Sequence, residues 1–111
     1  MTKEELRSIK EKIRANIEAH KENISVLEHS IQQLPPDADL DRETRMELIN
    51  YKRNCEAQIR SALQKIKNLE SASKRVDGPD YGICIECDKP IETTKLMLIP
   101  ETLYCVKCHR L

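Results

Sequence analysis

Five cysteines occur in the chain, and four of them form two C-x-x-C pairs. These are Cys84-Ile85-Glu86-Cys87 and Cys105-Val106-Lys107-Cys108, with 17 residues between them. Two residues between cysteines make a tight turn that aims both sulfurs at one point. A second such turn, returned by the intervening chain, completes a tetrahedron with Zn–S distances of about 2.3 Å. The spacing is therefore that of a tetrathiolate site for one Zn2+, held by Cys84, Cys87, Cys105 and Cys108. Four sulfurs leave no open position for water or substrate, so the metal is expected to be structural. Disulfides would suit a secreted chain, and a redox C-x-x-C needs a βαβ context. Neither setting is found here. Four thiolates around Zn2+ carry excess negative charge, which Lys89 and Lys107 beside the pairs can offset. His109 abuts Cys108 and reads as a bystander. Residues 88–104 hold two short apolar patches among turn residues and suggest a small hairpin.

Something must position these cysteines, and the preceding residues are of a different kind. The sequence has 111 residues, 34% charged and 3% aromatic, with no Trp or Phe. An ordinary compact core needs large apolar side chains. Widely spaced Leu, Ile and Val instead suit long helices paired along a seam. Thr2 and Glu5 form a capping box. Leu6, Ile9, Ile13, Ile17, His20, Ile24, Leu27, Ile31 and Leu34 then follow at steps of three and four, a heptad stripe with one irregularity near Ile13–Ile17. Pro35-Pro36 ends this helix. A second stripe runs through Leu48, Lys52, Cys55, Ile59, Ala62, Ile66, Leu69, Ser73 and Val76, closed by Gly78 as C-cap and Pro79.

Two helices of similar length joined by a short proline turn are predicted to fold into an antiparallel hairpin. Folding about the turn sets Ile31 near Met46, Leu27 near Ile49, Ile17 near Ile59, Ile9 near Ile66 and Leu6 near Leu69. It also sets Cys55 opposite His20, where Cys55 reads as a small buried hydrophobe. Arms of roughly 30 residues give a rod about 40–45 Å long. The predicted fold class is thus mainly α. A long antiparallel coiled-coil hairpin at 1–77, with its tip at 35–41, precedes a small C4 zinc-finger or zinc-ribbon mini-domain at 78–111.

Charge narrows the function. Lys plus Arg and Asp plus Glu each number 19, giving no net charge. No overall field attracts nucleic acid. Residues 35–50 are acidic (+2/−5), residues 51–80 basic (+7/−4), and the cysteine segment is balanced at +4/−4. A nucleic-acid-binding ribbon is therefore disfavoured. No nucleophile–base set or sizeable pocket suggests an enzyme. The N-terminal MTKEELRSIKEK is charged where a signal peptide would be apolar. No apolar run approaches membrane-spanning length. A cytoplasmic protein with reduced thiols and no membrane partner is expected.

The cysteine segment resembles the DksA/TraR family of bacterial transcription regulators. The resemblance rests on Tyr81-Gly82-Ile83-Cys84-Ile85-Glu86-Cys87, Pro90-Ile91, Lys95-Leu96, Pro100 and Cys105-Val106-Lys107-Cys108. The hairpin before it agrees in order and topology. The resemblance implies a non-enzymatic regulator that binds RNA polymerase directly and reads no DNA sequence. The zinc end would dock at the rim of the secondary channel, and the acidic tip would point toward the active site. It also implies guanosine tetraphosphate at the polymerase interface, a link to the stringent response, and action as a monomer. The tip residues so implicated are Asp37, Asp39, Asp41 and Arg42.

Three features depart from the family pattern. Fully active tips read Asp-x-x-Asp-Arg-Ala, whereas here Ala38 stands three before Asp41, and Glu43 follows Arg42. Asp88 replaces the usual Gly after the second cysteine. The chain stops at Leu111, short of the family's C-terminal helix, and an extra N-terminal helix of longer members is also missing. Weaker polymerase affinity and nucleotide response are expected. Capping is an alternative role for Asp39, Asp41 and Glu43. A protein–protein adaptor built from rod and ribbon is the alternative function.

Overall fold

In the computed structural model, residues 2–36 and 40–109 are described. Helix α1 spans Lys3–Gln32, α2 spans Arg42–Arg75, and a short α3 spans Thr93–Leu98. The long helices lie side by side, and the molecule extends 60 × 25 × 18 Å.

Local chemistry explains both starts. Thr2 caps α1: the Glu5 N–H donates to Thr2 Oγ1 at 3.1 Å, and the Thr2 N–H donates to Glu5 Oε1 at 3.4 Å. These bonds occupy two donors that a helix start leaves free. Asp41 caps α2, accepting from the Thr44 N–H at 2.7 Å. That bond holds the Asp41 carboxyl below the usual aspartate range. Both stripes face inward. Every position named on the first stripe from Leu6 to Leu34 is buried or half-buried, while Lys52 and His29 are exposed. On α2, Ala72 is fully buried and Ser73 exposed, so the stripe steps through Ala72 where Ser73 was expected.

The register differs from the expected one. Lys10 Nζ lies 2.6 Å from Asp77 Oδ1, and Ile13 and Ile17 line a groove with Ser73 and Asp77. At the other end, Ile31 lines a cleft with Leu48, Ile49 and Lys52, while Met46 is 50% exposed. The α1 residues thus face positions further along α2 than a tight turn would allow. Ile17, expected near Ile59, packs instead against the cluster that holds Leu69, Ala72 and Val76. The linker supplies the reason. Leu34, Pro35 and Pro36 line the same cleft as Leu48 and Ile49, so the chain runs on beyond α1 before α2 begins. Proline fixes φ and disfavours the sharp reversal. Arg42–Glu47 therefore extends past the end of α1.

The other end is where burial is deepest. Ile9, Ile13, Leu69, Ala72 and Val76 form one cluster with Cys84, Ile91, Leu96 and Cys105. After α2, Gly78 does not take the left-handed conformation expected of a C-cap; Gly82 does, at φ 84°. Gly78 instead permits a close approach, since a Cβ there would meet the Arg75 carbonyl at 3.2 Å. Its N–H donates to that same carbonyl at 2.8 Å.

Candidate metal centre

The first cysteine turn is built by its own backbone. The Cys84 N–H donates to the Lys89 carbonyl at 2.9 Å, and the Asp88 N–H to the Cys84 carbonyl at 3.0 Å. This loop closes only if residue 88 turns left-handed, and Asp88 has φ 59°. Aspartate is among the few non-glycine residues that visit this region. The departure at Asp88 thus keeps the turn. The Ile85 N–H reaches the Leu103 carbonyl at 3.0 Å, tying the turn to the strap that precedes Cys105.

The connecting segment is helical, where a hairpin was expected. Among the described residues only an isolated antiparallel bridge, Ile83 to Pro90, is strand-like. Helix α3 follows, with Leu96 fully buried and Met97 packed on the shared core. It lies against the first turns of α1, beside Glu5 and Ser8. Tyr81 Oη donates to the Pro100 carbonyl at 3.0 Å, and burial raises the Tyr81 hydroxyl above its ordinary value.

The second cysteine turn is gripped from α3. Glu92 Oε2 accepts from the Val106 N–H at 3.1 Å, which lowers the Glu92 carboxyl. Lys95 is only 2% exposed, and its Nζ donates to the carbonyls of Cys105 (3.3 Å) and His109 (2.5 Å). The buried cation near the cysteines is therefore Lys95, while Lys89 and Lys107 are exposed. His109 turns away from the sulfurs. Its ring sits 4.0 Å from that of Tyr104, and its Nε2 is 3.5 Å from Glu86 Oε1.

The sulfurs of Cys84, Cys87, Cys105 and Cys108 all lie within 4.8 Å of one another. Cys84 to Cys108 and Cys87 to Cys105 are each 3.6 Å apart. A tetrahedron with bonds of about 2.3 Å has edges near 3.8 Å, so these sulfurs fit Zn2+. Protonation points the same way. Burial opposes the Cys84 thiolate, but N–H groups of Cys105, Cys87 and Glu86 outweigh it and bring the thiol down to about 6. Its neighbour Cys108 is pushed far up, chiefly by Cys105 and Cys84. In the other pair, a hydrogen bond from the Cys108 backbone leads in lowering Cys105. For Cys87, a bond from the Lys89 backbone works downward, yet burial and the sulfurs of Cys105 and Cys84 leave it raised. Each short pair thus joins a thiolate-prone sulfur to one that keeps its proton. A divalent cation does for all four what protons do for two. The closed four-sulfur set gives the ion a structural role.

Of the other expected site residues, Asp41 is the α2 cap, and Arg42 is the first, exposed residue of that helix. Asp37 and Asp39 lie outside the described residues.

Comparison with known proteins agrees with this geometry. Residues 79–111 match the family model of the prokaryotic dksA/traR C4-type zinc finger. An uncharacterized protein of Aquifex aeolicus (strain VF5) is 35% identical over 43 residues, covering 39% of this chain and 30% of that protein. The chain thus matches less than a third of that relative's length. No solved structure matches the chain. Residues 79–111 thus match the dksA/traR C4-type zinc finger in sequence, and their four cysteines form a site for one structural Zn2+.

Proposed function

We propose that this protein is a transcription regulator that binds RNA polymerase through protein contacts and does not read DNA sequence. One observation carries the reading: a DksA/TraR-type zinc finger sits at one end of a two-helix rod in a molecule 60 Å long. In this reading, residues 78–111 and the lower rod dock at the rim of the polymerase secondary channel. Residues 1–77 form the inserting arm, and Asp37, Asp39, Asp41 and Arg42 approach the active site. Carboxylates there can accept hydrogen bonds from basic polymerase groups or perturb the surroundings of the catalytic metal. Charge supports a protein partner over DNA, since the chain is neutral overall. Guanosine tetraphosphate at the interface, monomeric action and a cytoplasmic location belong to the same reading. Among the described residues no helix is long and apolar enough to cross a membrane.

Competition with a labelled secondary-channel ligand for core RNA polymerase tests binding, and open-complex lifetime in purified transcription tests effect. Asp39→Asn/Asp41→Asn removes charge and keeps most capping ability. This variant should compete for polymerase as wild type does and lose the effect on open complexes. Wild-type protein that binds without effect would make the chain a competitor of other channel-binding factors. No binding by either protein would retire the reading. An adaptor that engages its partner along the rod, where Val26 and Leu63 are 63% and 53% exposed, would then stand.

A further inference from the structure

The two cysteine turns are held by different means. The first is secured mainly by backbone bonds, through Lys89, Asp88 and Leu103, with the exposed Glu86–His109 contact beside them. The second has one such bond, from the His109 N–H to the Cys105 carbonyl at 2.9 Å. Its remaining support is two charged side chains of one short element, Glu92 at the N-cap of α3 and Lys95 within it.

Lys95 is the unusual residue. Lysine is almost never fully buried unless paired. Among the described residues no acidic side chain lies within ion-pair reach of it. Its ammonium rests instead on two carbonyls that bracket the second turn, one belonging to Cys105 itself. A buried charge with no close ion pair is costly. Glu92 feels that charge, since Lys95 helps to lower its carboxyl, and a centre of four thiolates around a divalent ion has a net negative charge that can offset it further.

We propose that Lys95 and Glu92 are positioning residues of the zinc centre. Helix α3 acts as a latch: Glu92 fixes the Val106 N–H, and Lys95 draws the Cys105 and His109 carbonyls together. Cys105 and Cys108 are thereby kept in ligating geometry, and Lys95 supplies compensating charge. Loss of metal then begins at the second turn, because one backbone bond closes it and the rest of its support is two side chains, whereas the first turn has further backbone bonds. This inference rests on the zinc centre alone and is independent of the polymerase reading.

The test uses the zinc-loaded full chain. Two rates are followed: zinc transfer to a colorimetric chelator, and alkylation of each cysteine by N-ethylmaleimide, resolved by mass spectrometry. Lys95→Met keeps the apolar stem and removes the charge. It should release zinc roughly 10- to 100-fold faster, the range for loss of an outer partner of a metal ligand. Cys105 and Cys108 should be alkylated before Cys84 and Cys87. Lys95→Arg retains the charge and should restore slow release. Glu92→Gln, which keeps an acceptor for Val106, should fall between wild type and Glu92→Ala. Zinc release from Lys95→Met at the wild-type rate would overturn the proposal. If Lys95→Met does not fold, Glu92→Ala decides, because Glu92 is exposed and its loss leaves the core intact. Alkylation of all four cysteines at one rate in that variant would equally overturn it.

Discussion

The two ends of the rod share the same helices and the same spacing of apolar residues, yet they are buried to different depths. Near the zinc end, Ile9, Ile13, Leu69 and Ala72 are at most 2% exposed. Toward the tip, Ile24, Leu27, Ile31, Leu48 and Ile49 are only half-buried. The sequence pattern does not distinguish these regions; the number of layers does. A pair of helices covers one side of each seam residue and leaves the flanks open. At the base, α3 and the cysteine turns close those flanks, so sulfurs and isoleucines share one cluster. Fold stability is therefore concentrated at the base, and the tip is carried by it.

Removing the metal should break this comparison most severely. Chelation, or Cys84→Ser, is expected to unfold the zinc end and lower the melting temperature of the rod itself, because Cys84 packs in the same cluster as Ile9 and Leu69. Circular dichroism with metal analysis reads both, and an unchanged rod transition would mean that the two ends are independent. Next come paired truncations along α1. Ile13→Ala should cost about 2–5 kcal/mol in urea denaturation, and the half-buried Ile24→Ala clearly less. Equal losses would refute the gradient in burial.

Acid should separate the ends more gently. Zinc requires all four sulfurs deprotonated, so protons compete for them and metal retention falls as pH falls. The Asp41 cap is depressed by its bond to Thr44. Its contribution is present above the ordinary aspartate range and is lost as pH falls through its folded value. Helicity near Arg42 should thus fray only in stronger acid than releases zinc, as amide-resolved NMR across a pH series would show. The smallest effect belongs to Asp88. Asp88→Gly should stabilise the zinc end by no more than about 1 kcal/mol, since glycine adopts left-handed φ freely but loses more entropy on folding. Asp88→Val should weaken it, and chelator competition would rank the three.

Much of this arrangement was legible because it is local. The cysteine spacing, both caps and both stripes depend on residues within a few positions of one another. The register was not legible, because it depends on how the chain leaves α1 through Leu34–Pro36 and not on the stripes. Seams with the same heptad spacing can slide past one another without losing apolar contact, so Ile17 could be matched to Ile59 on paper. Helix α3 escaped notice because its six residues are too few to show a period. Lys95 was visible only as part of the Lys95-Leu96 pair shared with the family. Charge at that position suggests solvent, and only the fold around it puts the ammonium inside. Lys89 and Lys107 were nearer the cysteines in sequence but remain in water.

The projection of Arg42–Glu47 beyond α1 has a mechanical consequence. A rod held at one end is a beam clamped at its root, and it yields most where its cross-section is thinnest. Here the section steps down twice: from three layers at the zinc end to two helices, and then to one helix backed by the proline strap of Leu34–Pro36. Local bending at the far end would therefore be greatest in the first turns of α2, while the load itself is borne by the thicker section around Cys84 and Cys105. The metal end can stay rigid while the other end adjusts to whatever it meets.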